Sequence, residues 1–268
     1  MRIDLDLIKL GTSADADEIK DTANAQPLIV SASLLGAHAL GIKNFAYVSG
    51  HSVGELAAAA ISGAISDEDA LRLVRARGIE MAKAAALSPA GMSAVLGGDR
   101  DTVLKKLVEL NLVAANDSGG GQIVAAGDLA ALASLSENPP EGARIRALAV
   151  AGAFHTSFMT PAVESLRTLA ATILTAPTSI SVISNKDGEV VTDGAQVLTR
   201  IVNQIANPVR WDLCMEAMKK LGITGVIELP PAGTLVGLLK RGAPEIETFA
   251  LKSADDLSAA KEFAGRHA

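Results

Sequence analysis

Apolar and polar positions alternate along this 268-residue chain in two different ways. Up to residue 87 and again from residue 152, helices with an apolar period of about 3.6 residues alternate with short apolar strands, which is typical of an α/β fold. The predicted helices there are 26–40, 67–86, 161–174, 195–205 and 211–221, and the predicted strands include 180–184 and 225–228. We therefore expect residues 1–87 and 152–268 to form one large α/β domain.

Residues 88–151 follow a different order of elements. The pattern predicts strands at 92–96, 112–115, 122–126 and 145–150, and helices at 99–110 and 129–135. Strand-helix-strand-strand-helix-strand is the order of the ferredoxin-like split unit, so we expect an inserted small domain. The glycine run at 119–121 is interpreted as a turn between two of its strands, because it lacks the Lys-Ser or Lys-Thr pair of a P-loop.

Composition and charge exclude several classes of protein. The net charge of −6 argues against nucleic acid as a partner. A single cysteine, Cys214, excludes an internal disulfide and fits a reducing compartment. An apolar run long enough to span a membrane is missing, and Asp4 and Asp6 follow Arg2 too closely for a signal peptide. We expect a soluble cytoplasmic monomer with no membrane association and, given one cysteine and four scattered histidines, no metal site.

The segment between Phe45 and Ala60 contains the strongest candidate for a catalytic motif. Here the pentapeptide G-H-S-V-G at 50–54 stands between an apolar run that predicts a strand and an alanine-rich run that predicts a helix. In that context a G-x-S-x-G motif exposes its serine on a sharp turn, above a helix N-terminus whose free N–H groups suit a developing oxyanion. Ser52 is therefore the predicted nucleophile, and the small flanking glycines are expected to permit the turn.

A serine hydroxyl needs a base, and the chain offers four histidines. His267 is expected to fray with the C-terminal tail, and His38 lies in an ordinary predicted helix. His51 is adjacent to Ser52, and neighbouring side chains on a tight turn point apart. His155, on a glycine-containing loop that precedes a helix, is the predicted base, with a purely structural histidine as the alternative.

No acid is an obvious third member of a triad. Asp99 and Asp128 lie between Ser52 and His155 in the chain and are candidates by position only. A backbone carbonyl or an amide can also orient an imidazole, and Gln204 lies just before a helix break where its carbonyl could do so. This favours a Ser–His dyad.

Arg77 falls near the middle of the apolar face of the predicted helix 67–86. A buried arginine needs an anionic partner to offset its desolvation, and its planar fork matches a carboxylate. Three interpretations stay open on the residues alone: a structural salt bridge, a buried stem with an exposed head, and a site for a substrate carboxylate near Ser52.

Five segments together resemble the malonyl-CoA:acyl-carrier-protein transacylase family in order and spacing. They are residues 50–55, 77–78, 152–155, Gln204 with 207–211, and 228–235. The resemblance implies an α/β-hydrolase-like large domain with an inserted ferredoxin-like small domain. It also implies malonyl transfer from malonyl-CoA to the phosphopantetheine thiol of acyl carrier protein, in fatty-acid or polyketide synthesis. The coenzyme A thioester is then a substrate, and no cofactor is expected.

The resemblance implies a role for each matched residue. Ser52 is the nucleophile, and His155 acts in turn as base and acid. Arg77 holds the malonyl carboxylate, and Gln204 helps to orient the imidazole. The Val53 N–H is one oxyanion donor.

Two further expectations concern the surroundings of these groups. Phe154, which precedes the histidine as in malonyl-selective members of the family, and His51 should lie just behind the reacting groups. The family's Gly-Gln-Gly-x-Gln loop, which supplies the second oxyanion donor, does not occur in this sequence. We therefore expect weak turnover from these 268 residues as they stand.

A serine hydrolase and a non-catalytic carrier-binding remnant are the alternative functions.

Overall fold

The structure is a computed structural model and describes residues 4–268. Its helices are α1 (Leu7–Thr12), α2 (Ala16–Lys20), α3 (Thr22–Leu40), α4 (Gly54–Ile61), α5 (Asp67–Ala85), α6 (Arg100–Glu109), α7 (Leu129–Glu137), α8 (Thr160–Ala170), α9 (Gly194–Gln204), α10 (Trp211–Lys220), α11 (Thr234–Gly242) and α12 (Leu257–Arg266). Its strands are β1 (Tyr47–Ser49), β2 (Ala90–Gly97), β3 (Val113–Asp117), β4 (Gln122–Asp128), β5 (Ala143–Ala147), β6 (Ser181–Ile183), β7 (Val190–Val191), β8 (Val209–Arg210), β9 (Gly225–Glu228) and β10 (Glu247–Ala250).

Strands β2 to β5 form an antiparallel sheet in the order β5-β2-β4-β3. With α6 and α7 between them, they confirm the predicted order strand-helix-strand-strand-helix-strand. The short strand β8, from the later part of the chain, pairs in parallel with β3 and extends this sheet. Domain boundaries between residues 87 and 88 and between 151 and 152 stay a prediction.

The rest of the chain is built in the α/β style. Strands β1 and β6 pair in parallel, with β7 antiparallel at the edge, and β9 and β10 form a second parallel pair. The main core lies between β1, β6 and β7 and helices α3, α4, α5, α8 and α9. Alanine and aliphatic side chains fill it, as expected for a chain with only 3% aromatic residues. Within residues 4–268, no helix is long and apolar enough to cross a membrane.

Helix α5 packs one face into this core, and its N-terminal cap and its close contact with α3 fix its position. Ser66 caps its N-terminus by accepting the Asp69 N–H, and three acidic residues in the first turn suit the helix dipole. Gly78 lets α5 approach α3 closely, since an added Cβ would lie 2.9 Å from the carbonyl oxygen of Thr22. Arg77, one residue earlier, is carried inward and is only 2% exposed.

Candidate active site

Ser52 lies on a sharp turn between β1 and α4. Its φ of +51° is in the left-handed region, which is uncommon for a residue with a side chain. The Ser52 N–H donates to the side-chain oxygen of Asn185 at 3.3 Å. The bonds of α4 begin immediately, with the Gly54 N–H donating to His51 O and the Glu55 N–H to Ser52 O. A strained residue held by such contacts is typical of a functional site.

The two glycines of the pentapeptide differ in what they require. A Cβ on Gly50 would lie 2.1 Å from the carbonyl carbon of Gly54 and 2.3 Å from the nitrogen of Glu55, so the turn leaves no room for a side chain. A Cβ on Gly54 would meet no heavy atom of the described residues within 4 Å. The expectation that both positions must be small is therefore right for Gly50 and wrong for Gly54.

Gly50→Ala should consequently destabilise the protein, whereas Gly54→Ala should not. Backbone atoms cannot give way to the new methyl group as a flexible side chain would, so we expect a loss of about 1–3 kcal/mol or more at Gly50. Gly54→Ala is the matched control, because alanine favours a helix over glycine. Thermal unfolding of the two variants measures the difference. Equal melting temperatures would contradict the close approach at Gly50.

His155 is in direct contact with Ser52. Its Nε2 lies 2.7 Å from Ser52 Oγ, and its Nδ1 lies 2.9 Å from the backbone carbonyl oxygen of Gln204. A carbonyl can only accept, so Nδ1 carries the proton and Nε2 is free to accept from the serine hydroxyl. His155 is buried and also has a left-handed backbone, with a φ of +62°.

The acids that were candidates by position lie elsewhere. Asp99 and Asp128 are N-caps, each accepting backbone N–H groups at the start of α6 and α7. The backbone carbonyl of Gln204 instead stands where a triad has its carboxylate. A carbonyl supplies a dipole but no charge, so Ser52 and His155 form a dyad in this structure.

Arg77 reaches the serine from α5. Its Nη2 donates to Ser52 Oγ at 3.1 Å and to the side-chain oxygen Oε1 of Gln204 at 3.0 Å, and its Nη1 donates to Gln26 Oε1. These partners are all neutral, and within residues 4–268 the buried Nε of Arg77 has no acceptor. Among the described residues, Arg77 therefore lacks the direct salt bridge that the sequence left open. A buried guanidinium with neutral partners and an unused donor is suited to an anionic ligand.

Sequence reasoning missed three residues of this site, namely Gln26, Glu55 and Asn185. The buried carboxylate of Glu55 accepts the Asn185 N–H at Oε1, 2.6 Å away, and the Gln204 side-chain amide at Oε2, 2.7 Å away. A signal for Glu55 was present, since it is the one charged residue in the otherwise apolar segment 53–64. Gln26 and Asn185 had no comparable signal, because uncharged amides are common at exposed positions.

Burial controls the charges at the site. It lowers the pKa of His155 to about 3, and the positive charge of Arg77 adds to that effect. Burial lowers the pKa of Arg77 to about 10, which leaves the guanidinium charged at neutral pH. Burial raises the pKa of Glu55, while the donors from Asn185 and Gln204 oppose the rise. Both oxygens of Glu55 face N–H donors, which favours the ionised form.

Among the residues that the structure describes, a backbone N–H without an acceptor follows the serine directly. Val53 precedes the first turn of α4, and within residues 4–268 its N–H has no acceptor. The loop before the imidazole does not offer its last two N–H groups, because Phe154 donates to Gly152 O and His155 donates to Ile205 O. The Val53 N–H is thus an unpaired backbone donor of the described chain, directly after the serine.

Phe154 and His51 lie next to these groups in different ways. Phe154 is half-buried and packs against both the helical core and apolar residues of the β2–β5 sheet. The His51 ring meets Trp211 edge to face, with the centroids 5.8 Å apart. Burial lowers the pKa of His51 to about 4, so this ring is also neutral near pH 7.

The remaining histidines lie on other parts of the surface. His38 pairs with Asp67 at 2.6 Å. The expectation that His267 frays is wrong, because its ring contacts Glu247 and Thr224, each at 3.0 Å. Within residues 4–268, no group of three or more histidine, cysteine or acidic side chains is arranged to hold a metal ion.

A serine on a strained turn, a neutral imidazole in contact with it and a buried cation beside both define a site for covalent acyl chemistry on anionic substrates. The chain belongs to the acyltransferase family, since residues 2–261 match its acyl transferase domain. Among its relatives, the malonyl CoA-acyl carrier protein transacylase of Mycobacterium tuberculosis is 51% identical over 259 residues, which cover 95% of this chain and 86% of that protein. The family predicted from the motifs is confirmed.

Solved structures agree with the fold. The crystal structure of MCAT from Mycobacterium tuberculosis matches with a TM-score of 0.93 at 50% identity, covering 97% of this chain and 87% of that one. A malonyl-transacylase solved in complex with its type II PKS acyl-carrier protein matches with a TM-score of 0.90 at 27% identity, covering 96% and 86%. The predicted α/β class with a large and a small part is therefore confirmed.

Proposed function

We propose that this chain transfers the malonyl group of malonyl-CoA to the phosphopantetheine thiol of an acyl carrier protein, through a malonyl ester on Ser52. The reaction belongs to fatty-acid or polyketide synthesis. The observation that carries the proposal is the buried Arg77, which has neutral partners and lies 3.1 Å from Ser52 Oγ. One methylene separates the carboxylate of a malonyl group from its thioester carbonyl, so an anion site this close to the nucleophile suits that short diacid.

The first half-reaction loads the enzyme. The Ser52 hydroxyl gives its proton to Nε2 of His155 while Oγ attacks the malonyl thioester carbonyl. The Val53 N–H stabilises the oxyanion that forms, and Arg77 holds the malonyl carboxylate. The carbon–sulfur bond then breaks, and the coenzyme A sulfur takes the proton from His155.

The second half-reaction runs through the same groups in reverse. The carrier thiol gives its proton to His155, and its sulfur attacks the ester carbonyl. The ester bond to Ser52 then breaks, and Oγ recovers a proton from the imidazolium. Every group in this sequence is a side chain or backbone amide of the chain itself, so the proposed reaction requires no cofactor.

The substrate's own charge should strengthen the base. In the free protein, the positive charge of Arg77 helps to keep the pKa of His155 low. A bound malonyl carboxylate would neutralise that charge at close range and so favour protonation of the imidazole. Malonyl-CoA would then prepare His155 for proton transfer in a way that a neutral acyl-CoA does not.

Incubation with malonyl-CoA radiolabelled in the malonyl group, with and without holo acyl carrier protein, tests the proposal. We expect stoichiometric label on the enzyme without carrier and label on the carrier when it is present. Release of free malonate at a rate independent of carrier would make the chain a hydrolase. A protein that stays unlabelled would be a non-catalytic member of the family.

Two histidines of the site, the buried His155 and the half-buried His51, predict how stability depends on pH. Burial lowers the pKa of His155 to about 3 and that of His51 to about 4, below the 6.5 of an unfolded histidine. At a pH between the folded and the unfolded pKa values, the unfolded chain binds more protons than the folded one. The two neutral histidines therefore contribute fully to the free energy of unfolding above pH 6.5, and this contribution is lost as the pH falls below 6.5 towards the folded pKa values. Glu55 opposes the loss, because burial raises its pKa.

We therefore expect the free energy of unfolding to fall by a few kcal/mol between pH 7 and pH 4.5, since each of the two histidines costs up to about 1.4 kcal/mol per pH unit below its unfolded pKa. Urea unfolding at several pH values measures this. His51→Phe keeps an aromatic ring against Trp211 and should reduce the slope. A flat profile in the parent protein would mean that neither of the two histidines is held neutral.

A further inference from the structure

Glu55 is a buried carboxylate that the proposed reaction does not use. It lies in α4, three residues after Ser52, and is only 3% exposed. Its Oε1 accepts the Asn185 N–H at 2.6 Å, and its Oε2 accepts the side-chain amide of Gln204 at 2.7 Å. A charge in such a place is costly unless it is bonded and balanced, so its surroundings should show what it balances.

The amide of Gln204 connects Glu55 with Arg77. On one side, its Nε2 donates to Glu55 Oε2, and on the other, its Oε1 accepts from Arg77 Nη2 at 3.0 Å. Nε2 also lies 3.1 Å from the backbone carbonyl oxygen of Ser52. Only one orientation of the amide satisfies all these contacts, because a flip would set donor against donor at Arg77 and acceptor against acceptor at Glu55.

Glu55 thus supplies a negative charge to Arg77 without touching it. The direct partners of the guanidinium are neutral, and the charge of Glu55 raises the pKa of Arg77 against the effect of burial. A carboxylate in direct contact would occupy the guanidinium edge that an anionic substrate needs. Placing the counterion one amide further away keeps the arginine charged and leaves that edge to the substrate.

We propose that Glu55 is a positioning residue that determines selectivity for a carboxylate-bearing acyl group: its carboxylate fixes the amide of Gln204, which aims the charged Arg77 at the acyl group on Ser52. This inference rests on the proposed function, because it assumes that Arg77 binds the malonyl carboxylate. Glu55 itself touches neither the substrate nor the reacting atoms.

The variant Glu55→Gln tests the proposal with almost no change in shape. The new amide keeps an oxygen toward Asn185 and presents an N–H₂ group to Gln204, where two donors now meet. We expect Gln204 to flip, so that Arg77 loses both its bond to Gln204 Oε1 and its counterion. We expect the ratio of kcat/KM for malonyl-CoA over acetyl-CoA to fall by about 10- to 100-fold, the range for a lost charge-assisted hydrogen bond.

The double variant Glu55→Gln with Gln204→Glu exchanges the amide and the carboxylate. The bonds of position 55 to Asn185 and to position 204, and that of position 204 to Arg77, can form again, whereas the bond from Gln204 Nε2 to the Ser52 carbonyl cannot. We therefore expect the melting temperature to recover part of the way towards that of the parent. The carboxylate at position 204 now contacts Arg77 directly and competes with the substrate, so the malonyl preference should stay low. A structural role for Glu55 predicts the opposite, namely that selectivity recovers together with stability.

Two references make the outcomes distinguishable. Glu137→Gln makes the same charge change at an exposed position on α7 and should leave the selectivity ratio unchanged. Arg77→Ala reports on the proposed function alone. If Arg77→Ala loses the malonyl preference while Glu55→Gln keeps it, this inference is wrong and the proposed function stands. If Arg77→Ala also keeps the malonyl preference, Arg77 is not the carboxylate site, and both that part of the proposed function and this inference are wrong.

Discussion

Replacing Ser52 by alanine should abolish malonyl labelling of the protein and reduce transfer by a factor on the order of 10⁴ to 10⁶. The alanine side chain has no atom that can form the ester, so the loss does not depend on how well substrate binds. Malonyl-CoA should still bind, since Arg77 keeps its contacts with Gln26 and Gln204. Mass spectrometry of the intact protein after incubation with malonyl-CoA measures the labelling directly.

The nearby Ser49 provides the control for this variant. Its hydroxyl donates to the Ile183 carbonyl at 2.8 Å, within the β1–β6 pair and away from the imidazole. Ser49→Ala should therefore remain fully labelled. Covalent malonylation of the Ser52→Ala protein at one equivalent would place the nucleophile on another residue and would overturn the proposed mechanism.

Much of the fold could be predicted because its signals are local. Helix α5 begins where Ser66 and the following acids indicate a start, and the alternation of apolar positions predicted the strands of the β2–β5 sheet. Element ends moved by a few residues, as at β5, which was predicted at 145–150 and runs from Ala143 to Ala147. The pairing of β8 with β3 could not be predicted, because two-residue strands depend on partners far away in the chain.

Some residues of the candidate site could be predicted from local signals, and others could not. Ser52 could be predicted because a short motif specifies its turn, and Arg77 because a charge in an apolar helical face is anomalous in the sequence. Gln26 and Asn185 could not, since they matter only through contacts across 51 and 133 residues of chain. The orienting group for His155 was predicted as a carbonyl at Gln204, yet the contacts of the side-chain amide with Arg77 and Glu55 leave no signal in the periodicity of the sequence.

Gln204 connects the base of the site with the buried arginine. Its backbone carbonyl accepts from His155 Nδ1, and its side chain bonds both Arg77 and Glu55. A displacement of the end of α9 would therefore move the base and the anion site together. A single substitution at Gln204 should therefore change rate and selectivity at once, whereas one at Arg77 should act mainly on selectivity.

Arg77→Ala should invert selectivity from malonyl towards acetyl and other neutral acyl groups. Removing one partner of a buried, hydrogen-bonded charge pair leaves the other unpaired, so kcat/KM for malonyl-CoA should fall by about 10²- to 10³-fold. Acetyl transfer should be retained or rise, because a neutral acyl group no longer leaves a buried cation unpaired and the positive charge that lowers the pKa of His155 is gone.

Competition between malonyl-CoA and acetyl-CoA for labelling of Ser52 measures this inversion directly. Arg72→Ala removes an arginine of the same helix that pairs with Asp69 rather than with the site, and it should keep the parent preference. Arg77→Met fills the space left by the guanidinium and guards against a loss caused only by a cavity, so it should invert selectivity as alanine does. If both Arg77 variants still prefer malonyl-CoA, the carboxylate is bound elsewhere, and the buried arginine serves only to hold the serine turn together.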